Sequence, residues 1–374
     1  MIVFRLASAL VLLAALAAPL RADTIVLADG KRIEGVDVVS ETWQKVEFRQ
    51  PRVSAVQNRA AADVASVEYT TTSPDYIEAQ KHLAAGNVND AAAFLDAVGS
   101  DTRIKGHVRA SAMIQRAEIL IDLGAVAEAG ATVDALLAAF PDTRHLARAL
   151  LVRGKVLLAR NETEAAVAAF AKLKEEAAAK NLGKHWSAEA EYNRLFALEV
   201  KGETKSALDG YLKLRAESPG RGVAERCALR IGRIHLASGK GDEALALFND
   251  VIEERFDLPK DIAAAAFLGR GRVLFAKGQT GLAAAREATG ERGEELLELA
   301  RSWFREARLD FLRVVTVYPE VQSQQAEAMY HAGQCFQAIG DAEAEPRAMS
   351  LYRTAAVNYP NSSWGKLAAT ASGR

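Results

Sequence analysis

Metal, nucleophilic and phosphate chemistry each demand particular side chains at fixed spacing, and this sequence supplies few of them. Its six histidines, His82, His107, His145, His185, His235 and His331, are scattered along the chain. None forms the His-x-x-x-His or Cys-x-x-Cys spacing that holds a metal. There is no Gly-x-Ser-x-Gly elbow and no phosphate loop. The run Gly239-Lys-Gly-Asp-Glu-Ala244 fits the loose spacing of a dinucleotide loop. That chemistry needs a strand before the loop, so that backbone amides meet a pyrophosphate at a helix start, whereas a helical pattern precedes it here. Glu294, Glu295 and Glu298 stand close together with Arg301 nearby, the pattern of a solvated helix face. The expectation is a chain that is not an enzyme and uses no cofactor and no metal.

What remains is a surface, and the elements that would position it are repeated. From Tyr192 to Val251 the chain reads as two copies of a helix, a Gly-containing turn, a helix and a break. Gly202 and Gly239, Ala207 and Ala244, and Tyr211 and Phe248 are three pairs offset by 37 residues. A fixed offset of this size signals a repeat array. The second helices can be registered on a small residue followed four later by a larger one: Ala91/Leu95, Ala129/Val133, Ala166/Phe170, Ala207/Tyr211, Ala244/Phe248, Ala307/Phe311 and Ala348/Tyr352. First helices carry a small residue at Ala79, Ala117, Gly154, Gly232, Gly271 and Gly333, with Leu195 the exception. Pro141, Pro219, Pro319 and Pro360 follow second helices, where the chain must leave the helix.

This register resembles the tetratricopeptide repeat over about 300 residues, from position 75 to position 374, with about seven helix pairs. Lys366 to Ser372 reads as the start of a terminal capping helix. Short turns such as FPDTRHLARAL and YPNSSWGKLA are loosely similar to those of periplasmic envelope-assembly and Tol–Pal-associated repeat proteins. The family resemblance implies a mainly α solenoid whose first helices line a concave face that holds a protein or peptide partner. Outward positions at helical spacing on those helices are Tyr192, Asn193 and Phe196, then Arg226, Arg230 and Arg233, then Arg272 and Phe275, then Tyr330, His331 and Gln334. Aromatic anchors beside Arg donors are the composition of binding hot spots, and a guanidinium fork suits a carboxylate or a peptide backbone. The Lys and Asn set with which such repeats clamp a peptide C-terminus is absent as a set. The competing reading is that these arginines pair with acidic neighbours and the groove is idle.

One repeat departs from the pattern. Gly202 to Ala207 and Gly239 to Ala244 each span five residues, but Gly278 to Ala307 spans 29. Gly278 is expected to end the first helix. Gly281, Gly290 and Gly293 are expected to break the insertion 279–302 into a short helical piece and a long run-in. The segment reads either as a partner-contacting projection or as a tolerated surface insertion.

The start of the chain is different. Met1 to Ala22 has an early Arg5, an apolar run of about 15 residues and a small residue before Asp23, which reads as a secretory signal. The alternative is an uncleaved N-terminal anchor. Cys227 and Cys335 lie on first helices too far apart to pair, so two buried free thiols and a periplasmic location are expected. With half its residues apolar and a net charge of −1, the chain offers no argument for nucleic acid as a partner, and no later stretch would insert stably in a membrane.

Residues 23–72 read as a small β-barrel of SH3-like or Sm-like type. Asp29-Gly30 turns between two Ile- and Val-rich runs, KVEFR alternates at 45–49, and Val53–Val56 and Asp63–Tyr69 are two further strand candidates. The segment 70–75 is a hinge. The expected function is a non-enzymatic periplasmic scaffold that binds a protein partner on its concave face. The alternative is a cell-wall (peptidoglycan) binder or envelope-assembly factor with the barrel as its ligand module.

Overall fold

The computed structural model describes residues 22–51, 53–70, 73–218 and 222–373. The expected signal segment up to Arg21, Thr71 and Thr72 of the expected hinge, and the expected exit-turn residue Pro219 lie outside the described residues. Five strands come first: β1 (Asp23–Leu27), β2 (Arg32–Glu41), β3 (Lys45–Arg49), β4 (Gln57–Ala60) and β5 (Val64–Glu68). Gly30 takes the positive φ of 82° that the β1–β2 turn requires, and the Asp29 carboxylate accepts the Lys31 N–H at 3.0 Å. Every pairing is antiparallel and the order is β4-β3-β2-β1-β5.

The module is a small antiparallel five-stranded sheet with β4 and β5 at the two ends of the strand order. One expectation needs correction. The candidate strand Val53–Val56 is not one, and both valines are exposed. The strand is the polar stretch that follows it, Gln57–Ala60, in register with β3. An edge strand is held by its neighbour's backbone and needs no apolar face of its own.

The described residues then form fifteen helices. The first pairs are α1 (Pro74–Ala84) with α2 (Val88–Ser100), α3 (Gly106–Asp122) with α4 (Val126–Ala139), and α5 (Leu146–Ala159) with α6 (Thr163–Ala179). They continue as α7 (Lys184–Val200) with α8 (Thr204–Glu217), α9 (Val223–Ala237) with α10 (Gly241–Glu253), α11 (Lys260–Glu287) with α12 (Glu291–Val317), and α13 (Gln322–Ile339) with α14 (Ala344–Asn358). α15 (Ser363–Ala371) is the last. No helix among the described residues is long and apolar enough to cross a membrane. The chain divides into two compact units, one up to Ser187 and one from Ala188.

In the first unit the sheet and helices share one core. Ile25, Val38, Phe48 and Val67 pack with Tyr76, Leu95, Val98 and Val108. A buried carboxylate pins the sheet to the start of α5: Glu41 accepts from Arg144 Nε at 2.6 Å and from the Tyr69 hydroxyl. The next residue, His145, is buried and its Nε2 lacks a hydrogen-bond partner. Burial, then the nearby Arg144 and Arg148, push its pKa well below the ordinary histidine value. Burial also lowers His107.

A histidine kept neutral in the fold takes up a proton only on unfolding, below about pH 6.5. The unfolded state therefore gains protons that the folded state does not, and stability falls as pH drops through that value. The urea midpoint of this unit is expected to be lower at pH 5.5 than at pH 7.5, and His145→Asn should flatten the drop. A midpoint that stays constant between these pH values, or an equal drop in the variant, would contradict the assignment.

The second unit shows how the small-and-large register works. Ala207, Ala244, Ala307 and Ala348 are fully buried, and in the last three of these pairs the ring four residues on lies against a glycine of the first helix. A Cβ on Gly232 would fall 2.8 Å from the Phe248 ring, one on Gly271 2.8 Å from Phe311, and one on Gly333 2.5 Å from Tyr352. Contacts this short leave room only for hydrogen. The exception, Leu195, has its compensation on the paired helix, where a Cβ on Gly210 would meet the Leu195 side chain at 2.1 Å. The need for one missing side chain has moved across the helix pair.

The same effect overturns the reading of the insertion. α11 runs unbroken through Gly278 and Gly281, and α12 begins at Glu291, so the extra residues lengthen both helices of one hairpin. Gly278 faces the Phe304 ring and Gly281 faces Trp303 and Ala300. These two glycines permit close helix approach and end nothing. Gly290, at φ 61°, makes the turn.

Candidate functional site

The groove of the second unit is built by α7, α9, α11 and α13, the first helices of four successive pairs. A cavity of about 360 Å³ opens there, lined by Tyr192, Arg226, Arg230, Arg233 and Arg272 among others. Two of these arginines lie over aromatic rings: Arg226 is 4.5 Å from the Tyr192 centroid and Arg230 is 4.4 Å from that of Phe196. Such stacking holds a guanidinium flat and leaves its edge for hydrogen bonds.

Most of those edges are already used. Arg226 pairs with Glu189, and Arg272 pairs with Glu327. Arg230 Nε donates to Glu199 Oε2 at 2.9 Å, and the same oxygen accepts from the Tyr211 hydroxyl at 3.2 Å. Arg233 differs. It is exposed, and it has no ion pair or hydrogen bond with any of the described residues. The surrounding chain withdraws water from its guanidinium, and Arg230 and Arg272 stand nearby. Both effects disfavour its charge and lower its pKa, while Glu199 and Glu327 oppose the shift. A carboxylate placed against Arg233 would relieve this.

The structure separates the eleven expected residues. Five line the cavity, and Phe196 underlies Arg230. Asn193 does not face outward: it is buried, and its Nδ2 donates to the Glu189 carbonyl at 2.8 Å. Its spacing places it near the outer face, but a short amide four residues after a carbonyl can bond back along its own helix. Phe275, Tyr330, His331 and Gln334 gather in a separate aromatic cluster. Phe275 packs edge-on to Phe304 at 5.5 Å, and His331 stacks on Phe311 at 5.3 Å and lies 5.0 Å from Trp364. Gln334 donates to the Tyr330 hydroxyl at 3.3 Å, and its Oε1 lies 2.9 Å from His331 Nδ1. Burial lowers the His331 pKa. None of these four residues lines the cavity.

The competing expectation, that the arginines pair with acidic neighbours, holds for three of them, and the partners are Glu189, Glu199 and Glu327. One signal existed: Glu189 and Arg226 are separated by 37 residues, the repeat offset itself, so they hold equivalent places on adjacent first helices. Both cysteines are free and buried, and burial pushes the Cys227 thiol up to about 12. Among the described residues no group of His, Cys, Asp and Glu could hold a metal ion.

Comparison with known proteins bears on the fold of the helical part. Tetratricopeptide-repeat family models match residues 76–143, 229–293 and 327–362. No curated protein matches significantly. Among solved structures, a monomeric mutant of IFIT1 with Gppp-AAAA is 12% identical with a TM-score of 0.50, over 77% of this chain and 60% of that one. The Rap conjugation gene regulator of plasmid pLS20, in complex with the Phr* peptide, is 13% identical with a TM-score of 0.46, over 77% of this chain and 75% of that one. A repeat protein from Parabacteroides merdae ATCC 43184 is 14% identical with a TM-score of 0.34, over 71% and 99%. At 12% identity the likeness to the IFIT1 structure is one of fold alone. Tetratricopeptide-repeat models match these three segments, and the stacked hairpins make the helical part of this chain a tetratricopeptide-like α-solenoid.

Proposed function

We propose that residues 188–374 bind a carboxylate-bearing peptide segment of a protein partner in the groove of α7, α9, α11 and α13, and that the chain acts as a non-enzymatic scaffold. The observation that carries this is Arg233, an exposed guanidinium with no partner among the described residues, set between Arg230 and Arg272. The three paired arginines have a different role. Their carboxylates hold them against Tyr192, Phe196 and α13, so they shape the groove and keep it rigid. A rigid groove loses less entropy when it binds. The apolar segment at Met1–Ala22 supports export to the periplasm as the setting.

The test is crosslinking in the native envelope with mass spectrometry, comparing wild type with Arg233→Gln and Arg233→Glu. A charge-assisted hydrogen bond contributes about 1.5–3 kcal/mol, so a purified partner segment should bind about 10- to 100-fold more weakly to either variant. The far-ultraviolet circular dichroism should not change, because Arg233 supports no neighbour. Partner crosslinks that survive in both variants would remove the groove assignment.

A further inference from the structure

The first unit has a second opening that this groove does not use. A cavity of about 1520 Å³ runs along β5, touching every residue from Val64 to Thr70. Its opposite wall comes from α1, α3, the start of α5 and the first turn of α7, through Tyr76, Gln115, His145 and Trp186 among others. β5 is an edge strand that pairs only with β1. Edge strands are usually blunted by Pro, Lys or an inward charge, or covered by another element. The sequence Val-Ala-Ser-Val-Glu has no Pro or Lys, and Ala65 and Ser66 are exposed. Among the described residues, Arg144 reaches this edge with a side-chain hydrogen bond, at the Val64 carbonyl, 3.5 Å away.

The charges around the cavity are satisfied internally. Arg144 pairs with Glu41, Arg148 with Glu118, Glu68 with Arg32 and Lys81 with Glu78. These charges line the space as neutralised pairs, and much of the remaining lining is neutral: the residues of β5, the amides of Gln80 and Gln115, which bond each other at 2.9 Å, and apolar side chains. A charged segment would find no counter-charge here, and a small polar molecule would leave most of the strand edge unused.

We infer that β5 receives an extended, uncharged peptide of a partner protein as a sixth strand. Backbone hydrogen bonds to β5 supply the register, and apolar side chains at alternate positions point into the space against Tyr76 and Trp186. Five residues of β5 span roughly 17 Å at about 3.3 Å per residue, which sets the length of the segment. This site lies in a different unit from the Arg233 groove and takes the opposite chemistry.

The test uses the full chain as bait for a phage library of hexapeptides, apolar at alternate positions and uncharged elsewhere, alongside an equal library with Asp or Glu at the alternate sites. The uncharged library should be enriched. Selected peptides should slow amide exchange across 64–68. They should bind at least tenfold more weakly once N-methylated at every second residue or when Ser66→Lys replaces the wild type, and Arg233→Glu should leave them unaffected. No enrichment, enrichment of the acidic library, or affinity indifferent to N-methylation would overturn strand addition. Self-association of the chain that Ser66→Lys abolishes, without peptide binding, would assign the edge to a second copy and likewise overturn the inference.

Discussion

Phe248→Ala is expected to destabilise residues 188–374 by about 3–5 kcal/mol, the range for removing a buried aromatic ring. The ring is 1% exposed and occupies a slot that two glycines leave open. A Cβ on Gly232 would lie 2.8 Å from it, and one on Gly269 would lie 2.4 Å from it. Around it stand Ala244, Val251, Ile252 and Leu268 on α10 and α11. None of these can swing across to fill the void, because the small residues have no reach and the larger ones are held by the rest of the core. The cost should therefore fall at the upper part of the range. Amide exchange of α10 and α11, read against urea, measures it in this unit alone. Phe248→Leu should cost less than half as much. Gly269→Ala should destabilise by forcing its new methyl into the ring, and Phe248→Leu should partly rescue it, because the two changes share one space. Additive effects of Gly269→Ala and Phe248→Leu would show that the slot is not shared.

The rings at Phe170, Tyr211, Phe248, Phe311 and Tyr352 are legible in the sequence because one physical demand recurs at each: a large side chain opposite a small one at fixed spacing. Where the demand is met from the other side, the pattern hides it. Leu195 breaks the register, and only the structure shows that Gly210 takes over the small role. Gly278 and Gly281 misled in the opposite direction. A glycine in a helical pattern reads as a break, yet here each lies under an aromatic ring of α12 and the helix runs through. Local propensity cannot distinguish these cases, because the reason for the glycine sits on another helix. The sheet shows the same limit. β3 alternates apolar and charged residues and can be read directly, whereas β4 exists because β3 pairs with it. In the groove, residue type and helical spacing identify the arginines but not their partners. Arg226, Arg230 and Arg233 read alike in sequence, and their difference lies in carboxylates of neighbouring repeats.

Asp310→Ala is expected to destabilise the same unit by about 3 kcal/mol, the lower end of the range for a broken buried ion pair. Asp310 falls on the apolar stripe of α12 with Ala307, Phe311 and Val314, where a charge needs a partner. It is 1% exposed and accepts from Arg270 Nε and Nη2, each at 2.7 Å, and from Arg313 Nη1 at 3.0 Å. Arg270 also donates to Asn249 Oδ1 at 3.1 Å, so one carboxylate links α10, α11 and α12. The hydrogen bonds that Arg270 donates to Asp310 raise the Arg270 pKa despite its partial burial. Removing the carboxylate strands a guanidinium that retains some access to water, which places the cost near 3 kcal/mol rather than 5. Asp310→Asn keeps an acceptor and should lose about half as much. Asp310→Leu combined with Arg270→Met removes both charges, and by the same reasoning it should recover most of the loss. If the double variant is no more stable than Asp310→Ala, the pair contributes more than mutual neutralisation, and its link to Asn249 is holding the three helices in register.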